Sequence, residues 1–255
     1  MFALNSEPHK LTFKEKEGIV DCFLKTVNGR ASTMVGIVEN SLRGAIELAL
    51  LAEQLGADGI ILYPPSLVTP ADGQLLGYFK KIAKRVKLPV VIQDAPRTTG
   101  VSMSTEFILD AFDQIENFKF IKVECPLPVH KINRIVNQTR HGLRCFSGNG
   151  GIFTVDAFIR GAWGVMPGVG IIRQFVNIWD AYNSNDITKA RDIFENILPL
   201  LWFEDQSLEF FIACEKEILN KQGVIDSTYI RSPKFVLDSE SRTELNILYD
   251  RLKAV

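Results

Sequence analysis

Cysteine, histidine and tryptophan are scarce in this chain, at four, three and three residues, and neither charge sign dominates. Cys22, Cys125, Cys145 and Cys214 lie far apart and form no C-x-x-C pair. That spacing excludes a disulfide scaffold or a cysteine zinc site. Cys22 falls in a helical pattern and Cys145 in a strand pattern, so both read as small buried apolar groups. His9, His130 and His141 belong to no metal-like cluster, and the last two fall near helix ends, on the surface. With 29 basic and 30 acidic side chains and no basic stripe interleaved with aromatics, no nucleic-acid partner is expected. No apolar run is long enough to cross a bilayer, so no membrane partner is expected either. Glu7, His9 and Lys10 interrupt the short apolar start, which is no signal peptide, and a reducing cytoplasm is the expected setting. A Walker-type loop is missing, as is any G-x-G-x-x-G after a strand. No cofactor is expected.

What is present is an alternation. Short β-branched or apolar runs predict strands at Thr33–Val38, Gly59–Pro64, Pro89–Asp94, Phe118–Glu124, Arg144–Gly148 and Gly164–Gly168. Their starts lie 26, 30, 29, 26 and 20 residues apart, the length a β-α unit needs. Runs such as Ile60-Ile61-Leu62 and Val90-Val91-Ile92 are apolar throughout, as in parallel strands covered by helices. Helices are predicted between them: Thr12–Thr26, Leu42–Leu55 with Gly56 as its stop, and one opening at Ser104 or Thr105 and running to Ile115. The fold class expected from this is α/β, most of a parallel (β/α)8 barrel that is incomplete at its N-terminal end.

After Gly168 the pattern turns helical, at Ile171–Tyr182, Ile187–Leu201, Ser207–Gln222 and Arg242–Lys253, with a loop from Gly223 to Ser239. The expected domains are a barrel over residues 1–186 and a helical extension over 187–255. Met1-Phe2-Ala3-Leu4-Asn5 resembles the end of a strand, which makes seven strands where a closed barrel has eight. The first β-α unit of the barrel is therefore expected to be missing.

Strand alternation puts Phe118, Phe120, Lys122 and Glu124 on one face of their strand and Lys119, Ile121 and Val123 on the other. If Ile121 and Val123 pack on helices, Lys122 points into the barrel near its C-terminal mouth, where barrel enzymes build their active sites. An amine attacks a ketone only when unprotonated, and a partly apolar mouth favours that form of a lysine. On spacing alone the plainer reading is an ion pair between Lys122 and Glu124 without catalysis. Gln93 should point inward at the end of its strand, to touch substrate or to cap the core; it has a donor and an acceptor but no proton to exchange. Phe146-Ser147-Gly148-Asn149-Gly150-Gly151 ends a strand in a glycine-rich loop, either an anion cradle or a tight turn. Met166 either lines a pocket or packs in the core.

In order and spacing these segments resemble the dihydrodipicolinate synthase and N-acetylneuraminate lyase family of class I aldolases. The likeness runs from about Phe2 to Gln222. It takes in Leu11-Thr12, Gly56-Ala57-Asp58-Gly59, Ala95-Pro96 with Thr99-Gly100, Ile121-Lys122, Ser147-Gly148 and Gly161-Ala162-Trp163-Gly164. The resemblance implies a (β/α)8 barrel with a C-terminal helical extension, assembled as a homo-oligomer, a dimer or tetramer. It implies that Lys122 forms a Schiff base with a 2-keto acid, usually pyruvate, and that the small-molecule partner is a keto or hydroxy acid. Asn5, Ser6, Gln93, Ser147 and Met166 would be its substrate contacts.

Four departures accompany the likeness. Gln93 stands where the family has a proton-relaying tyrosine, and an amide cannot act as a general acid at neutral pH. Ala3-Leu4-Asn5-Ser6-Glu7 replaces a Gly-Thr-Thr-Gly-Glu-like loop that grips the keto-acid carboxylate. Thr98 aligns with an arginine for the second substrate, with Arg97 one place off, and Pro65-Ser66 replaces an aromatic pair. These point away from dihydrodipicolinate synthesis itself, and neuraminate cleavage has no better support. A lyase or aldolase is the leading expectation; a non-catalytic descendant that binds a small acid or a protein is the alternative.

Overall fold

The computed structural model of the chain describes residues 1–66 and 68–252. Lys253, the expected end of the last helix, lies outside the described residues. The chain forms two compact units, Met1–Phe146 with Gly161–Trp163, and Ser147–Arg160 with Gly164 onward.

The first unit runs α1 (Phe13–Val27), β1 (Met34–Ile37), α2 (Leu42–Gln54), β2 (Gly59–Leu62), α3 (Asp72–Ala83) and β3 (Val90–Asp94). It continues with the short α4 (Pro96–Thr99), α5 (Thr105–Gln114), β4 (Phe118–Val123), α6 (Pro128–Gln138) and β5 (Arg144–Ser147), whose last residue passes into the second unit. The strands lie side by side in chain order, and β1 to β4 pair in parallel. Local chemistry sets the helix ends. Thr12 and Glu15 close a capping box on α1, Ser104 caps α5 through the Phe107 N–H, and Gly56 follows α2 at φ +88°.

Both sheet faces are buried. Val35, Ile37, Ile60, Leu62, Val90, Ile92, Ile121 and Val123 lie on one of them, against which α2, α5 and α6 pack. The register between β3 and β4 shifts between Val90 and Val91, so Lys119 is an extra residue on β4. Phe118 pairs with Val90 on the helix-covered face and meets the Phe112 ring of α5 at 6.3 Å. The expectation that Phe118 shares a face with Lys122 is therefore corrected: the bulge turns it over, and only Phe120, Lys122 and Glu124 keep the common face.

The expected seventh strand does not form among the described residues. Met1 does bond to β1, its carbonyl accepting from the Gly36 N–H at 2.8 Å and its ammonium donating to the Met34 carbonyl at 2.6 Å. The chain then leaves the ladder at Phe2, where φ is +57°, and Leu4–Ser6 coils into a 3-10 turn.

The second unit holds α7 (Thr154–Ile159), β6 (Gly164–Val165), α8 (Ile172–Asn183), α9 (Ile187–Glu204), α10 (Leu208–Lys221) and α11 (Ser239–Arg251). The glycine-rich loop is a tight turn here. Gly150 and Gly151 have φ of +62° and +93°, and a Cβ on Gly151 would lie 2.4 Å from the Phe175 ring. Glu215 of α10 is a buried anchor, its Oε2 accepting from the Val169 and Gly170 N–H groups at 2.7 and 2.8 Å. Among the described residues no helix is long and apolar enough to cross a membrane.

Candidate active site

Lys122 sits one residue from the C-terminal end of β4, paired in register with Gln93 on β3. Its neighbours in sequence, Ile121 and Val123, are wholly buried on the helix-covered face. Asp94, which follows Gln93, turns to that face too and holds Lys131 of α6 at 2.6 Å. Lys122 and Gln93 therefore point the other way, away from the helices. The Lys122 side chain is 8% exposed.

Glu124 follows on the same face. Its N–H donates to the Asp94 carbonyl at 2.8 Å, which carries the parallel ladder one step past β4. Among its contacts, Oε1 lies 3.0 Å from Lys122 Nζ, and Oε2 accepts a hydrogen bond from Gln93 Nε2. The ion pair expected as the plain alternative is thus formed, with Gln93 as a third member. The opposite amide orientation would set the Gln93 oxygen against the carboxylate, so the chemistry fixes the assignment. Gln93 Oε1 is left buried without a hydrogen-bond partner among the described residues.

A residue that the sequence did not single out completes the row. Tyr63 follows Leu62, which pairs with Ile92, so it stands level with Gln93 at the end of β2. The phenol is buried and donates to the Phe2 carbonyl at 3.4 Å, a long bond. Burial, and after it the Glu124 carboxylate, push its pKa far up, so it keeps its proton. Alternation along Ile60-Ile61-Leu62-Tyr63 was a signal for an inward side chain; its place in the row required the register.

Asn5 and Ser6 belong to the 3-10 turn that follows Phe2, and the Ser6 hydroxyl is spent on the Ala3 carbonyl at 2.8 Å. Ser147 and Met166 belong to the second unit, where the Met166 N–H donates to the Ser147 carbonyl at 2.8 Å. Ser147 Oγ is buried with no hydrogen-bond partner among the described residues, and Met166 is half-buried. The structure thus joins Gln93 to Lys122 through Glu124, and Ser147 to Met166 through their backbones.

The thiols divide otherwise than expected. Cys145 is buried, with its pKa pushed up to about 12 by burial, but Cys22 is exposed on α1. The helical pattern there was right and the face was not. His130 and His141 are exposed, as read from the sequence. No group of three or more His, Cys, Asp or Glu able to hold a metal occurs among the described residues. A cavity of about 580 Å³ in the first unit, lined by Lys80, Lys84, Lys87 and Lys119, shares no residue with the Lys122 cluster.

Parallel β-α units with a buried lysine at a strand end define the class: an α/β protein whose polar centre sits on the sheet face turned away from the helices. Residues 5–251 match the Dihydrodipicolinate synthetase family, and the chain belongs to it. It is 28% identical over 193 residues to a 4-hydroxy-tetrahydrodipicolinate synthase of Fervidobacterium nodosum, covering 75% of this chain and 65% of that protein. A protein of the same name from Methanococcus maripaludis strain C6 is 27% identical, covering 76% and 67%. The chain thus spans about two thirds of the length of these relatives. The crystal structure of dihydrodipicolinate synthase from Rhodopseudomonas palustris superposes with a TM-score of 0.90 at 26% identity, over 96% of this chain and 83% of that one. The Thermotoga maritima enzyme gives 0.90 at 25% identity, over 99% and 86%.

Proposed function

We propose that this chain is a Schiff-base lyase or aldolase in which Lys122 condenses with a 2-keto acid such as pyruvate. The iminium then acts as an electron sink, so that a C–C or C–O bond beside it is made or broken. The observation that carries this reading is the position of Lys122: a buried amine at the end of a strand, on the face opposite the helices. In this reading the sheet is the larger part of a (β/α)8 barrel over residues 1–186, with residues 187–255 as its helical extension. Gln93 Oε1, Asn5 and Ser6 of the first unit supply substrate contacts, and Ser147 and Met166 keep the contact role the family resemblance implies for them; Gln93 Oε1 is a buried acceptor without a donor among the described residues. Gln93, Thr98 and Pro65-Ser66 replace family groups tied to one synthase, which favours a different keto or hydroxy acid as substrate. The enzyme acts in the cytoplasm as a homo-oligomer, and sedimentation as a single copy would contradict that assembly.

The Lys122–Glu124 ion pair keeps the alternative, a non-catalytic binder of a small acid, in view, and a thermal-shift experiment separates the two. Pyruvate at a hundred times its dissociation constant should stabilise the wild-type chain by about 2.7 kcal/mol. An imine-forming enzyme loses most of that stabilisation in Lys122→Met. A full shift that survives the substitution points to the binder.

A further inference from the structure

A lysine that forms an imine must first lose a proton, and the hydroxyl of the carbinolamine must later gain one before it leaves as water. Gln93 can do neither. Tyr63, level with it, keeps its proton and spends it on the Phe2 carbonyl. Among the described residues of the first unit, the group in place at the amine is the Glu124 carboxylate, with Oε1 3.0 Å from Nζ.

The carboxylate is also held in a particular way. Gln93 Nε2 bonds to Oε2 only, while Oε1 faces Lys122. The neighbouring strand thereby fixes the rotation of the carboxylate. Gln93 makes this bond while its own oxygen stays unpartnered among the described residues, so the amide is aimed at Glu124 rather than at the core.

We propose that Glu124 is a second catalytic residue, the proton carrier for imine formation at Lys122. This rests on the Schiff-base reading above and deepens it. In the first step a proton moves from Nζ to Oε1, leaving a neutral amine and a carboxylic acid. The nitrogen lone pair attacks the keto carbon, a C–N bond forms, and the carbonyl π pair moves onto oxygen, which collects one of the two protons left on nitrogen. Glu124 then returns its proton to that hydroxyl, the C–O bond breaks, and water leaves as the C=N⁺ bond forms. The ammonium and the ketone become an iminium and water, Glu124 is a carboxylate again, and nothing is oxidised or reduced.

The test follows the rate of adduct formation in the full chain, mixed with pyruvate and quenched with borohydride at increasing times. Wild type should give a reduced adduct on Lys122. Glu124→Gln should give the same adduct about 10²–10⁴-fold more slowly, the range of general acid–base effects. Glu124→Ala should be equally slow, and added formate should restore part of the rate, a rescue that no purely structural role of the side chain would show. Should either variant fail to fold, Glu124→Asp keeps an acid but withdraws it and should fall between wild type and Glu124→Gln. Equal labelling rates in wild type and Glu124→Gln would overturn the role of Glu124 and leave the Schiff-base reading standing. Absence of any adduct in wild type would overturn that reading, and the role of Glu124 with it.

Discussion

Gln93 Oε1, Ser147 Oγ and Glu204 Oε1 are buried side-chain atoms with no hydrogen-bond partner among the described residues. The first two belong to the proposed substrate contacts; for Glu204 the answer lies in its proton. Burial, and after it the Glu215 carboxylate, lift Glu204 well above the ordinary carboxylate range. Burial lifts Glu215 too, while the Gly170 and Val169 N–H groups pull it down. Between the ordinary carboxylate range and that raised value, the folded chain therefore holds a proton on Glu204 that the unfolded chain releases. Its contribution is fully present below the ordinary carboxylate range and is lost as pH rises toward the raised folded value. Glu204→Gln, a neutral mimic of the acid, should raise the melting temperature at pH 8 and flatten its fall with pH, as read by calorimetry. An unchanged slope would mean that Glu204 is ionised in the folded chain. At this scale Lys122 was legible, because alternation alone turns it away from Ile121 and Val123. Glu124 was legible as its ion-pair partner, but the grip of Gln93 on it was not, since that contact spans 31 residues and needs the strand pairing. Cys22 misled because a helical period names two faces without saying which one is covered.

Strands announced themselves through their apolar runs, and all six expected strands formed, the last shrinking to Gly164–Val165. What periodicity could not supply was the bulge. One added residue at Lys119 leaves the composition of β4 unchanged and reverses the face of Phe118. The opening segment went astray for a related reason. Met1 makes the ladder bonds of a strand, yet the Phe2 backbone crosses so close to Gly36 that no side chain fits between them: a Cβ on Gly36 would lie 2.0 Å from the Phe2 carbonyl oxygen. Gly36→Ala should accordingly cost about 1–3 kcal/mol, as overpacked sites do. It should also displace the segment from Met1 to Ser6, seen as faster amide exchange at Gly36, whose N–H bonds to Met1. Unaltered stability and exchange would show that this segment does not rest on β1.

At the scale of the molecule, the β-α spacing carried the α/β class with its parallel strands and the switch to helices after Gly168, because both are patterns of length and period. The pairing of Tyr63, Gln93 and Lys122 in one row arises from three strands that a linear reading sees separately. Family membership adds a frame for that row without fixing its substrate. The proposed function rests on the amine of Lys122. The most direct test is to incubate the purified chain with a panel of 2-keto acids, reduce with borohydride and map the adducts by peptide mass spectrometry. One modified peptide is expected, carrying the adduct on Lys122, with at least one acid of the panel. Labelling spread over exposed lysines such as Lys119, with Lys122 untouched by every acid, would contradict it.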